Sequence, residues 1–144
     1  MSTRVAQLAG CLIRCFEGLR LEAYQDTGGV WTIGYGHTAF VKAGTTCTAE
    51  QAEDWLEQDA APLFDTAAHY GTLASLTDTD SPVKRSVPAT AALISFGYNL
   101  GLVPLQHVLE EVADITAFVH DRHGNVLPGL VARRALEAAL INLP

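Results

Sequence analysis

Three side chains near the start of the chain have the types and spacing for acid–base hydrolysis. Glu17 is followed by Asp26 after eight intervening residues, and Asp26 by Thr32 after five. A carboxylic acid can protonate a leaving oxygen, while a carboxylate and a hydroxyl hold and activate a water. Inverting glycosidases place two carboxyls across such a water, on the order of 6.5–9.5 Å apart. Carboxylates are common on surfaces, so the chemistry depends on what positions them.

Those elements can be read locally. Val5, Leu8, Leu12, Ile13 and Phe16 recur at three- and four-residue steps, one apolar face of a helix. Ser2 or Thr3 is the cap expected at its start, and Gly18 the expected stop. Ala6 stands where a full capping box with Thr3 would need Glu or Gln. Glu17 then lies in the last turn, among carbonyls without intrahelical donors. That negative helix end favours the neutral carboxylic acid that a general acid requires, while an arginine beside Glu17 would pull the other way, so the net direction is left open. Ala23–Asp26 and Val30–Ile33 read as short strands joined through Thr27, Gly28 and Gly29, where glycine accepts the positive φ of a tight turn. Asp26 ends one strand and Thr32 sits in the next, so one turn can present both toward a common space.

The segment resembles the phage-type lysozymes, glycoside hydrolase family 24. The matching runs are Phe16-Glu17-Gly18-Leu19-Arg20, Ala23-Tyr24-x-Asp26 and Trp31-Thr32-Ile33-Gly34-Tyr35-Gly36-His37-Thr38. The resemblance implies an α+β, mainly α, lysozyme-like fold, with a small β-hairpin lobe and a larger helical lobe around a cleft. One catalytic domain would span 1–144, its small lobe about 17–58 and its helical lobe 1–16 with 59–144. Glu17 is implied as general acid, with Asp26 and Thr32 holding the water. Gly34, Tyr35 and Asn99 are candidates for the substrate-binding surface, and Trp31 for packing. No cofactor and no metal are implied.

Further along, Thr48-Ala49-Glu50-Gln51 fits a capping box opening a helix. Ala52, Trp55, Leu56, Leu63 and Phe64 mark its apolar side, and Pro62 calls for a kink or break. Glu50, Glu53, Asp54 and Glu57 read as a solvated face. By resemblance, Asp59 forms a structural ion pair with His37. Residues 71–88 read as a long loop or broken helix. Ala89–Leu100 is apolar nearly all round, the pattern of a buried central helix. Its ending, Ser95-Phe96-Gly97-Tyr98-Asn99-Leu100-Gly101, resembles the family's cleft segment, so Asn99 is either a sugar or Glu17 partner or an ordinary helix-end residue. Pro104 suits the first turn of a helix through Leu105, Val108, Leu109 and Val112. His107 reads as a surface residue, and His120, Asp121 and His123 as a turn with Gly124 and Asn125. Gly129 to Glu137 resembles the family's Gly-Leu-x-x-Arg-Arg-x-x-Glu, a helix with Leu130, Leu136 and Leu140 inward. One of its arginines, Arg133 in preference to Arg134, is expected to support Glu17.

Composition narrows the partners. The 144 residues suffice for one domain with a sizeable core. A hydrophobic content of 49% against 17% charged residues is that of a globular chain. The net charge of −7, with no basic stripe, argues against nucleic acid. Attraction to an anionic wall polymer must then be local to the cleft or absent. No apolar run reaches the roughly 18–20 residues of a membrane span, and residues 5–13 read as a helix rather than a signal. Three cysteines without a Cys-x-x-Cys fit a reducing compartment; Cys11 and Cys15 are expected to be buried, and Cys47 sits in a loop.

The implied function is a muramidase cutting the β-1,4 bond between N-acetylmuramic acid and N-acetylglucosamine of peptidoglycan, with inversion, for bacteriolytic release of phage or prophage. Such an endolysin, a monomer, would stay in the host cytoplasm until a membrane pore protein let it reach the wall in the periplasm. A lytic transglycosylase is the alternative on the same bond, but it needs no water-positioning pair. A non-catalytic wall-binding module would be expected to lose Glu17 or Asp26, and both are present.

Overall fold

The computed structural model describes residues 4–26, 28–77, 86–111, 114–121 and 123–143, the side chains of 71–77 excepted. Ser2, Thr3, Thr27 and Val112 therefore lie outside the described residues. Helix α1, Arg4–Glu17, buries Ala9, Gly10, Leu12 and Ile13. It stops where Gly18 takes φ 66° and donates its N–H to the Arg14 carbonyl at 3.1 Å, a left-handed ending that glycine adopts without steric cost.

Strands β1, Arg20–Gln25, and β2, Trp31–Gly34, form a two-stranded antiparallel sheet. Arg20 faces Gly34, Tyr24 faces Thr32 and Gln25 faces Trp31, with an irregularity between Arg20 and Tyr24. The outer edge of β1 is not left open. Ala23 N–H donates to Thr45 O at 2.9 Å, and Cys47 N–H to Leu21 O at 3.0 Å. The returning loop thereby satisfies the backbone groups of an otherwise exposed strand.

Helix α2, Ala49–Thr77, starts at the expected capping box. Thr48 N–H donates to Gln51 Oε1 at 2.9 Å, and Gln51 N–H to Thr48 Oγ1 at 3.1 Å. The helix runs unbroken through Pro62, which is exposed, so the carbonyl it leaves without a donor can be hydrated. Of the long loop or broken helix expected over 71–88, residues 71–77 are helical and Val87 opens the next helix, while 78–85 lie outside the described residues.

Helix α3, Val87–Leu100, is the centre of the molecule and packs against α1, α2, α4 (Leu102–Glu111) and α5 (Pro128–Ile141). Residues Ala91 to Gly97 are all buried, as its all-round apolar sequence requires. At Gly97 an added Cβ would lie 2.8 Å from Leu105 Cδ2 and 3.0 Å from Leu63 Cδ2. Helices α2 and α4 approach α3 there too closely for a side chain. The main core gathers Leu12, Leu63, Ile94, Phe96, Leu105 and Ile115 among others. A smaller cluster of Ile13, Tyr35, Ala52 and Leu56 joins α1 and α2 to the hairpin region.

Three expectations are corrected. Cys11 and Cys15 are exposed, because the buried stripe of α1 runs through Leu12 and Ile13 and turns both thiols outward. Leu136 is 44% exposed, since α5 buries Arg133, Arg134 and Glu137 instead. Glu53 is not simply solvated: Arg14 Nε donates to its two oxygens at 2.9 and 3.1 Å.

Candidate active site

The hairpin turn locks Asp26 to Thr32 through one residue between them. Val30 N–H donates to Asp26 Oδ1 at 2.8 Å, and Asp26 N–H donates to Val30 O at 3.0 Å. That same carbonyl accepts the Thr32 hydroxyl at 3.0 Å. A further donor, Gly28 N–H, reaches Asp26 Oδ1 at 2.8 Å. These two backbone donors hold the Asp26 carboxyl in one orientation at the turn. Asp26 is exposed, whereas Thr32 is buried.

Glu17 approaches from the other end of the ribbon. A Cβ on Gly36, which has φ 105°, would lie 3.9 Å from Glu17 Oε2 and 3.8 Å from the Tyr98 ring. The carboxyl therefore abuts the turn after β2, with three quarters of its side-chain surface covered. Its Oε1 accepts from Arg133 Nη1 at 2.6 Å, so of the two arginines it is Arg133 that reaches it.

Arg133 is held from every side. Its Nε donates to Glu137 Oε1 at 3.1 Å, and its Nη2 to Ser95 O at 2.9 Å. The Phe16 ring lies beneath the guanidinium, 4.8 Å from centroid to Cζ. Ser95 Oγ donates to Glu137 Oε1 at 2.7 Å. Arg134 Nε lies 2.9 Å from Glu137 Oε2, an ion-pair distance without hydrogen-bond alignment. Arg134 Nη2 donates to Asn99 Oδ1 at 3.1 Å. Burial holds the Glu137 carboxyl above the ordinary glutamate value, although Ser95 and both arginines pull against it. Burial also brings Arg134 down to about 10, opposed by the Glu137 charge.

Other candidate residues sit further back. Gly34 and Tyr35, expected on the substrate surface, are buried. A Cβ at Gly34 would meet Ala52 Cβ at 3.3 Å, and burial, then hydrogen bonding to Glu53, pushes the Tyr35 phenol up. Packing against α2 is what the geometry gives them. Asn99 turns its oxygen to Arg134 rather than to Glu17. His37 Nδ1 lies 2.8 Å from Asp59 Oδ2, and its Nε2 lies 3.1 Å from Ala39 O. The imidazole stacks on Trp55 at 4.7 Å, which joins the turn after β2 to α2. Among the described residues, no group of three His, Cys, Asp or Glu could hold a metal ion, and no helix is long and apolar enough to cross a membrane.

Glu17, at the end of α1, lies beside the turn that follows the hairpin carrying Asp26 and Thr32. Residues 14–137 match the family model described as phage lysozyme. The chain belongs to that family. It is 34% identical to an endolysin of Acyrthosiphon pisum secondary endosymbiont phage 1, over 90% of this chain and 91% of the relative. It is 36% identical to an endolysin of Lactococcus phage c2 over 98% of its length, and there it spans 61% of the relative. Among solved structures it superimposes on the muramidase domain of SpmX from Asticaccaulis excentricus with a TM-score of 0.76. That match has 29% identity and covers 97% of this chain and 98% of the other.

Two residues that hold this phage lysozyme site together escaped the sequence reading. Tyr98, on α3, donates its hydroxyl to the Tyr35 carbonyl at 3.0 Å and so ties the helical core to the hairpin. Burial, then the charges of Asp59 and Glu17, pushes its phenol well up, keeping it a neutral donor. Glu137 was visible only as the end of a motif. Its complete burial follows from the packing of α5 on α3, which no local pattern reveals.

Proposed function

We propose that this chain is a peptidoglycan-hydrolysing muramidase that cleaves the β-1,4 bond between N-acetylmuramic acid and N-acetylglucosamine in bacterial walls. The observation that carries the reading is the placement of Glu17 beside the turn that continues the hairpin holding Asp26 and Thr32. Glu17 protonates the leaving glycosidic oxygen. Asp26 and the Thr32 hydroxyl hold a water on the opposite face of the sugar, and Asp26 takes its proton as the water attacks C1. Attack from the face opposite the leaving group inverts the anomeric centre.

Arg133 keeps Glu17 directed at the cleft through the 2.6 Å hydrogen bond. The membership of the phage lysozyme family and the endolysin names of its relatives support a role in wall lysis. A monomer that reaches the wall through a separately made membrane pore fits that role. The test is proton NMR of the first product released from purified peptidoglycan strands. A new α-anomeric reducing end establishes inversion, and a β-anomer assigns the second carboxylate a nucleophilic role instead.

A further inference from the structure

We infer that Glu137 is a positioning residue for the general acid, acting through Arg133 to fix the direction and strength with which Glu17 is held. The inference rests on the muramidase reading above, since it concerns how that acid works.

The geometry is that of one cation shared between two carboxylates. A guanidinium is planar, and its donors form a rigid fork. Once Nε is engaged by Glu137 at 3.1 Å and Nη2 by the Ser95 carbonyl at 2.9 Å, the remaining direction of Nη1 is set. That direction ends on Glu17 Oε1 at 2.6 Å. Glu137 is fully buried, as is Arg134, and Arg133 is 4% exposed, so water screens little of this network.

Charged and polar groups face Glu17 from several elements. Helix α5 brings Arg133, Arg134 and Glu137; helix α3 brings the neutral phenol of Tyr98, with Ser95 and Asn99 behind. Phe16 of α1 lies under Arg133, and Gly36 of the turn after β2 lies beside the Glu17 carboxyl. The His37–Asp59 pair lies beyond Tyr98, where the Asp59 charge reaches that phenol. Two arginines thus meet two carboxylates. Neutralising Glu137 leaves Glu17 as the one anion facing both cations, which stabilises ionised Glu17 and makes it give up its proton at lower pH.

Carbon-13 NMR of the Glu17 carboxyl across pH, in wild type and Glu137→Gln, tests this alongside kcat and KM on purified peptidoglycan. In Glu137→Gln the Glu17 midpoint and the alkaline limb of kcat move to lower pH by about one unit, with KM unchanged. Glu137→Asp keeps the charge, and its midpoint stays with the wild type. Should Glu137→Gln not fold, Ser95→Ala withdraws a donor from the Glu137 anion and moves the midpoint the same way by less. An unmoved midpoint in whichever variant folds overturns the inference, as does Glu137→Asp shifting as far as Glu137→Gln. A wild type that leaves peptidoglycan intact overturns the muramidase reading alone, because the NMR midpoint still decides the role of Glu137.

Discussion

Arg133 divides one guanidinium between Glu17, at the end of the first helix, and Glu137, one turn further along its own helix, at 2.6 and 3.1 Å. Its Nη2 and its face are also occupied, by Ser95 and Phe16. A lysine keeps the charge but is a single point donor and cannot span those partners. Arg133→Lys is expected to lower kcat by about tenfold or more, with little change in KM, because orientation of a reacting group is worth that much. Steady-state kinetics on purified peptidoglycan measures it.

Thr32 offers a graded test of water positioning. Its hydroxyl already donates to Val30 O, leaving its lone pairs to accept from a water. Thr32→Ala removes the group and is expected to cost about a hundredfold in kcat. Thr32→Ser keeps the hydroxyl and retains an intermediate rate. Equal rates for the two variants would remove Thr32 from the mechanism.

The Tyr98 hydroxyl is the tie between α3 and the turn after β2. Tyr98→Phe keeps the ring in its packing and loses the 3.0 Å hydrogen bond. It also leaves the Tyr35 carbonyl without this donor. Stability measured by urea denaturation should fall by about 1 kcal/mol.

Arg134 has no comparable freedom to be lost. It is fully buried beside Glu137 and over the Phe96 ring. Arg134→Met would leave the buried carboxylate short of a counter-charge, a defect worth about 3–5 kcal/mol. Thermal and chemical denaturation should show a sharply weakened or unfolded protein.

Stability should also depend on pH through the Arg14–Glu53 pair. Hydrogen bonding to Arg14 holds the Glu53 carboxyl below the usual glutamate value. A depressed folded pKa stabilises the protein above the ordinary carboxylate range, and that contribution is lost as pH falls through the folded value. Glu53→Gln is therefore expected to melt below the wild type near neutrality. The gap should close in acid, and added salt should narrow it.

Much of the site was legible because its signals are local. The apolar face of α1, the glycine stop after Glu17 and the Thr48–Gln51 box each depend on a few neighbouring residues. The hairpin was legible too, although β1 begins at Arg20, earlier than its apolar pattern suggested, because residues 45–47 pair with its other edge. Helix α5 resisted the same reasoning. Periodicity directs leucines inward, yet its buried face holds Arg133, Arg134 and Glu137. Those charges are tolerable only because Ser95, Asn99 and Glu17 meet them from α3 and α1. The partners are 35–116 residues away in sequence, beyond the reach of any local rule. Tyr98 was missed for the same reason, since its function is a contact with a backbone carbonyl in another element.

Glu17 is proposed as the acid of a hydrolytic muramidase. The most direct test of that role is mass spectrometry of purified peptidoglycan digested by wild type and by Glu17→Gln. Reducing N-acetylmuramic ends from the wild type, absent with the variant, are the expected result. Anhydro-muramic ends, or the same reducing ends from Glu17→Gln, would contradict it.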